Sequence, residues 1–199
     1  FAKMVQRAPR ADVAILLVTF GLTVFADLVV AVNIGVILAT LQFLRRMAAS
    51  VEVREATEQE LKHEFAHHGF TALPPGVLVY LVEGPFFFGA VENFERALAS
   101  THTDPRVLII RLLRVPFIDI TGLQNLEEVI QDLHKRHVRV MLTEANSRMQ
   151  GKLEKAGIIE LVRAENVFNQ FPDSVTACQL FLQDRKMTKA KAMARRDDA

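Results

Sequence analysis

The sequence predicts an α/β domain preceded by a transmembrane helical hairpin. Three observations carry that prediction. From Val13 to Leu44 the only charged residue is Asp27. After Val51 the chain becomes mixed in polarity, and strand-length apolar runs alternate with segments of helical periodicity. That alternation is the pattern of an α/β layer structure. The boundaries follow as a hairpin over 1–50, a linker over 51–74, an α/β domain over 75–185 and a basic tail over 186–199.

Composition narrows the function classes. Half of the 199 residues are of the AVILMFWYC set and the mean hydropathy is +0.19, which excludes a disordered chain. The net charge of +1 argues against nucleic-acid binding through bulk electrostatics. A single cysteine, Cys178, excludes an internal disulfide framework and a multi-cysteine metal site.

The first element pair is read from two apolar runs, 13–25 and 28–44, split by Ala26 and Asp27. As helices they extend about 20 and 26 Å, each short of a hydrocarbon core of about 30 Å. A single helix through both would set Asp27 near the bilayer centre, at a cost of about 2.5–3.5 kcal/mol. A hairpin with Asp27 at its turn avoids this. Lys3, Arg7 and Arg10 precede the first run and Arg45 and Arg46 follow the second, so the positive-inside rule sets both outer ends in the cytoplasm. A cleaved leader, a single tilted span and buried core helices are the weaker alternatives. The second run carries Ala31, Gly35 and Ala39 at i, i+4 and i+8, a small-residue stripe that lets another helix approach closely.

Residues 51–74 read as a solvated helical linker ending at Pro74-Pro75-Gly76. His63-Glu64-Phe65-Ala66-His67 spells HExxH, but in a polar stretch, so the spelling is assigned no zinc chemistry.

Beyond it, 77–82 reads as a strand, 86–88 as a short second strand and 90–100 as a helix. Val107–Leu113 is a strongly apolar buried strand. Leu123, Leu126, Ile130 and Leu133 define an amphipathic helix over 122–136. A strand follows at 138–143, then a helix over 147–156 stopped by Gly157, and a last helix over 175–185 capped by Ser174. His102, His134 and His137 scatter over surfaces, and Cys178 reads as a small core residue. No catalytic constellation, metal site or cofactor motif emerges. In the tail, contact with anionic lipid is the alternative to a solvated end.

The junction of the buried strand and the clearest helix is Phe117-Ile118-Asp119-Ile120-Thr121-Gly122-Leu123. Thr121 and Gln124 fit a capping box, which makes Thr121 the expected N-cap. The same position, at the positive end of a helix dipole, suits a phosphate.

This stretch, following VLIIRL, resembles the D-x-[ST]-G loop of STAS domains, which sulfate transporters share with anti-sigma factor antagonists. GPFFFGAVENFE is similar to the first turn of the bacterial transporter-type domain, and TVFADLVVAVNIGVILATLQFLRRM resembles the last membrane segment of bacterial SulP permeases. The resemblance implies a STAS-like mixed sheet of about four or five strands packed by helices. It implies the end of a secondary anion transporter for sulfate, bicarbonate or dicarboxylate, in the bacterial inner membrane. Its cytoplasmic domain would serve regulation, protein interaction and homodimer assembly. The partners implied are the remainder of the membrane domain, the lipid bilayer and a regulatory protein at the Thr121 loop, which Asp119 and Gly122 support. In the antagonists the hydroxyl residue before the glycine is phosphorylated, which corresponds to Thr121. A membrane-tethered signalling module without transport is the alternative.

Overall fold

The computed structural model describes residues 10–49, 51–70, 72–87, 93–94, 96–97 and 105–197. The chain divides into two units, Phe1–Ala49 and Ser50–Ala199.

The first unit is a helical hairpin of α1 (Arg10–Phe25) and α2 (Leu28–Ala49). Asp27 makes the bend. Its side chain accepts from Val29 N at 2.7 Å and its carbonyl accepts from Ala31 N at 2.9 Å, so it starts α2 as an N-cap does. At the open end Arg46 pairs with Asp12 at 2.6 Å. A Cβ on Gly35 would lie 2.9 Å from Thr19 Oγ1, so α1 and α2 are in close contact there. Ala31, one turn nearer the bend on that face, is fully buried, whereas Ala39 is exposed. Gly35 of the small-residue stripe therefore faces α1 within the hairpin itself. The outer surface is apolar, with Leu17, Phe20, Val29, Val36, Ile37 and Phe43 exposed. Leu28–Met47 is long and apolar enough to cross a membrane.

The second unit is built on a five-stranded sheet in the order β1 (Glu52–Glu55), β2 (Val77–Glu83), β3 (Val107–Arg114), β4 (Arg139–Thr143), β5 (Val167–Phe168). β1 is antiparallel to β2 and the other pairs are parallel. β3 is central and buried from Val107 to Leu112, which explains its near-continuous apolar run. Side chains alternate between the two faces. Val79, Val107, Ile109 and Met141 pack with Leu61 and Phe65 of α3 (Glu58–His68) and with Phe171, Val175, Cys178 and Leu182 of α7 (Phe171–Asp197). Leu108, Ile110, Val140 and Leu142 take the opposite face. Buried Leu126, Ile130 and Leu133 of α4 (Ile120–Lys135), Met149 and Leu153 of α5 (Ser147–Lys155), and Ile158 and Val162 of α6 (Ile158–Val162) belong to that side.

Residues 51–74, expected as a linker, instead carry β1 and α3 and join the domain core. Leu61 and Phe65, at i and i+4, are 8% and 3% exposed. Two large apolar residues among eleven hide in a polar composition, yet one turn of spacing suffices to bury one face. Thr57 and Glu60 close a full capping box and Gly69, at φ +73°, terminates α3. The last helix begins at Phe171, not 175, because Pro172 sits in its first turn, where a missing N–H costs nothing. Ser174 is inside that helix, its hydroxyl donating to Phe171 O at 2.6 Å, and is no cap. The helix also runs on to Asp197, through most of the expected tail. Of the expected strand at 86–88 the structure contains a single bridge, Phe86 to Ile118, and Phe88 lies outside the described residues. The expected helix over 90–100 lies largely outside them as well; 93–94 and 96–97 are helical.

Candidate functional site

The loop from β3 to α4 is held by main-chain bonds to Phe86. Phe86 N donates to Phe117 O at 2.9 Å and Asp119 N donates to Phe86 O at 3.2 Å. Gly122 is required by this clamp. A Cβ there would lie 2.4 Å from Phe86 O and 2.9 Å from Phe86 Cδ1, so no larger residue fits unless backbone moves. From the other side Lys152 donates to Ile118 O at 2.5 Å, and Asn146 Nδ2 donates to Val115 O at 3.0 Å. Asn146 also caps α5, through Met149 N at 2.9 Å.

The N-cap of α4 is Asp119, not Thr121. Its carboxylate accepts from Gly122 N at 2.7 Å and its carbonyl from Leu123 N at 3.0 Å. Aspartate outranks threonine at that position, and the clamp on Phe86 fixes residue 119 in the extended backbone a cap needs. Thr121 is thus the second residue inside the helix. It is half-buried, and its hydroxyl has no hydrogen bond among the described residues. Next to it, Phe117 and Ile120 are 40% and 73% exposed. The loop presents two apolar side chains and a hydroxyl at the positive end of a helix, a surface suited to a protein partner.

A second cluster lies on the α3 face of the sheet. Arg111, in the middle of β3 and 8% exposed, donates from Nε and Nη2 to Glu144 at 2.6 and 2.9 Å. From Nη1 and Nη2 it donates to Glu64 at 2.5 and 2.8 Å. Its guanidinium carbon stands 4.2 Å over the Phe171 ring. Burial acts to lower the Arg111 pKa, but the Glu144 and Glu64 carboxylates outweigh it and hold the group above its ordinary value. Glu144 follows β4 with φ at +63°, a conformation that side-chain-bearing residues rarely adopt. Sequence reasoning passed over Arg111 and Glu144. The available signal was an arginine within VLIIRLL, since a charge at the centre of a buried strand requires buried partners. Glu64, the glutamate of the HExxH spelling, is thereby engaged by Arg111; the side chains of His63 and His67 lie outside the described residues. Among the described residues no three His, Cys, Asp or Glu side chains gather as a metal site. Cys178 is buried, its Sγ 3.4 Å from Met141 Sδ, and burial pushes its thiol up to about 12.

Residues 71–174 match the STAS domain family. A putative sulfate transporter of Bacillus subtilis, YvdB, is 28% identical over 171 residues, covering 85% of this chain and 31% of that protein. The STAS domain of a SulP transporter from Vibrio cholerae is 46% identical, with a TM-score of 0.56, over 64% of this chain and 99% of that one. The murine Slc26a9 anion transporter shares the fold over 90% of this chain and 30% of its own, with a TM-score of 0.69 at 19% identity. The chain thus spans about a third of the length of such full-length relatives.

Proposed function

The chain belongs to the STAS domain family, in the form carried by SulP transporters, and on that footing we propose that it is the C-terminal portion of a secondary anion transporter. One observation carries the reading. The alignment with YvdB covers 85% of the chain, more residues than the second unit contains, so the likeness to a transporter extends into the hairpin. The hairpin's exposed apolar surface fits a bilayer and the neighbouring helices of a larger membrane domain. Arg10 and Arg46 at its open end fit a cytoplasmic domain and the inner membrane of a bacterium. The substrate class is sulfate, bicarbonate or dicarboxylate. The domain acts in regulation, protein interaction and homodimer assembly. The surface for the regulatory partner is the loop of Phe117, Ile120 and Thr121, with Thr121 the residue whose modification would change it.

The test is a chimera. YvdB truncated before the aligned segment and joined to this chain at the matching position should restore sulfate uptake to cells lacking their own carrier. Uptake no greater than with the truncated carrier alone contradicts the reading.

A further inference from the structure

Arg111 holds two carboxylates where charge balance asks for one, and the two are held differently. Glu144 lies side-on, along Nε and Nη2, with its side chain 13% exposed. Its backbone is fixed on both sides, since Glu144 N donates to Phe168 O at 3.0 Å and Asn146 caps α5. Glu64 takes the end-on fork of Nη1 and Nη2 and its side chain is 38% exposed. It comes from α3, an eleven-residue helix anchored in the core through Leu61 and Phe65. Of the two, Glu64 is the carboxylate that can leave.

The fork also borders open space. A cleft of about 210 Å³ between α3 and the sheet is lined by Arg111, Glu64, Arg114, Glu83, Glu60 and Leu113. A small oxyanion presents paired oxygens to a guanidinium fork in the same bidentate geometry as a carboxylate. Exchanging Glu64 for bicarbonate leaves the local charge on Arg111 unchanged, whereas sulfate, a dianion, adds one negative charge there; in either case the freed glutamate returns to water.

We infer that the end-on fork of Arg111 is a binding site for small oxyanions, sulfate or bicarbonate in class, and that Glu64 is its tethered occupant. An arriving anion displaces Glu64 and loosens α3 from the sheet. The choice of sulfate and bicarbonate rests on the transport reading, whereas the fork and the cleft beside it do not, so oxyanion binding is tested without any transport assay.

The experiment uses the full chain in detergent micelles, titrated calorimetrically with sodium sulfate and, separately, with sodium bicarbonate, against sodium chloride of equal ionic strength. Glu64→Gln removes the tethered competitor and should bind at least one of the two oxyanions about tenfold or more tightly than the parent. Arg111→Lys keeps the charge but loses the fork, and should remove that gain in the Glu64→Gln background. Hydrogen exchange gives a readout on the unaltered chain. Sulfate or bicarbonate should quicken exchange over 58–68 relative to 120–135. Exchange slowed alike over both segments, as general salt stabilisation by sulfate produces, would contradict the displacement of Glu64. Equal or weaker oxyanion binding by Glu64→Gln than by the parent overturns the inference, whichever way Arg111→Lys folds.

Discussion

Asp119 and Thr121 are two residues apart and have separable roles. Asp119 carries the cap of α4, so Asp119→Ala should cost about 1 kcal/mol of stability in denaturant melts. Thr121→Ala removes no hydrogen bond seen among the described residues and should fall within about 0.5 kcal/mol of the parent. If Thr121 were the cap, the order of the two costs would reverse. Thr121→Asp adds a charge at the second helical position, which the dipole favours by about 0.3–1 kcal/mol and the nearby Asp119 carboxylate opposes. Any effect of that variant on partner binding is then an effect on surface chemistry and not on folding. Gly122→Ala differs in kind, because the atom it would strike at 2.4 Å is a main-chain oxygen that cannot rotate away. The same melts should show a loss of about 1–3 kcal/mol or more. A neutral result would mean that the clamp on Phe86 yields easily.

At the scale of elements, α3 is the piece that reshapes the domain, and its N-terminus makes it sensitive to acid. The Arg54 guanidinium, followed by the Thr57 N–H and hydroxyl, holds the Glu60 carboxyl well below the usual carboxylate range. A carboxyl depressed in the fold favours the folded state above its unfolded pKa of about 4.3, and that contribution is lost as the pH falls below it. The parent should therefore lose stability between about pH 5 and about pH 3 more steeply than Glu60→Gln, as followed by melting midpoints. Identical slopes would show that the Arg54–Glu60–Thr57 contacts do not persist in solution. The same helix shows where sequence reading stops. The 107–113 strand and the 122–136 helix were legible because each has a strong period and burial on a wide face. α3 and β1 were not, because four residues of strand and two core side chains leave no periodic signal above the charges around them. β5, at two residues, is defined by its pairing with β4 and by nothing in its own composition. The Asp-x-Thr-Gly loop was visible as a motif, but its cap was misassigned. The deciding contact, from Phe86, lies more than thirty positions away in the chain. Arg111 stands in the sequence as a lone charge within VLIIRLL, a signal the strand's apolar reading overrode, and its partners, from α3 and from the residue after β4, become adjacent only when the sheet forms.

At the scale of the whole molecule, the chain joins a hairpin whose outer surface is apolar to a domain whose charges are arranged in networks. Among the described residues the domain's core is closed by helices on both faces of the sheet. The hairpin has the opposite character, with large apolar residues turned outward and several of its polar groups bonded within it. Thr19 and Thr23 return their hydroxyls to Ile15 O and Thr19 O, each at 2.8 Å, and Asp12 pairs with Arg46. That division is what the proposed carrier with its domain on the cytoplasmic side requires, and cysteine labelling in intact cells measures the topology most directly. Cys178 is a quiet background, buried and with its thiol pushed up to about 12. A cysteine at Asp27, in the bend, should react with a membrane-impermeant thiol reagent added outside. A cysteine at exposed Glu128 on α4 should react only after the membrane is permeabilised. Labelling of the Glu128 position in intact cells, or of the two positions equally, would contradict a hairpin that returns the chain to the cytoplasm.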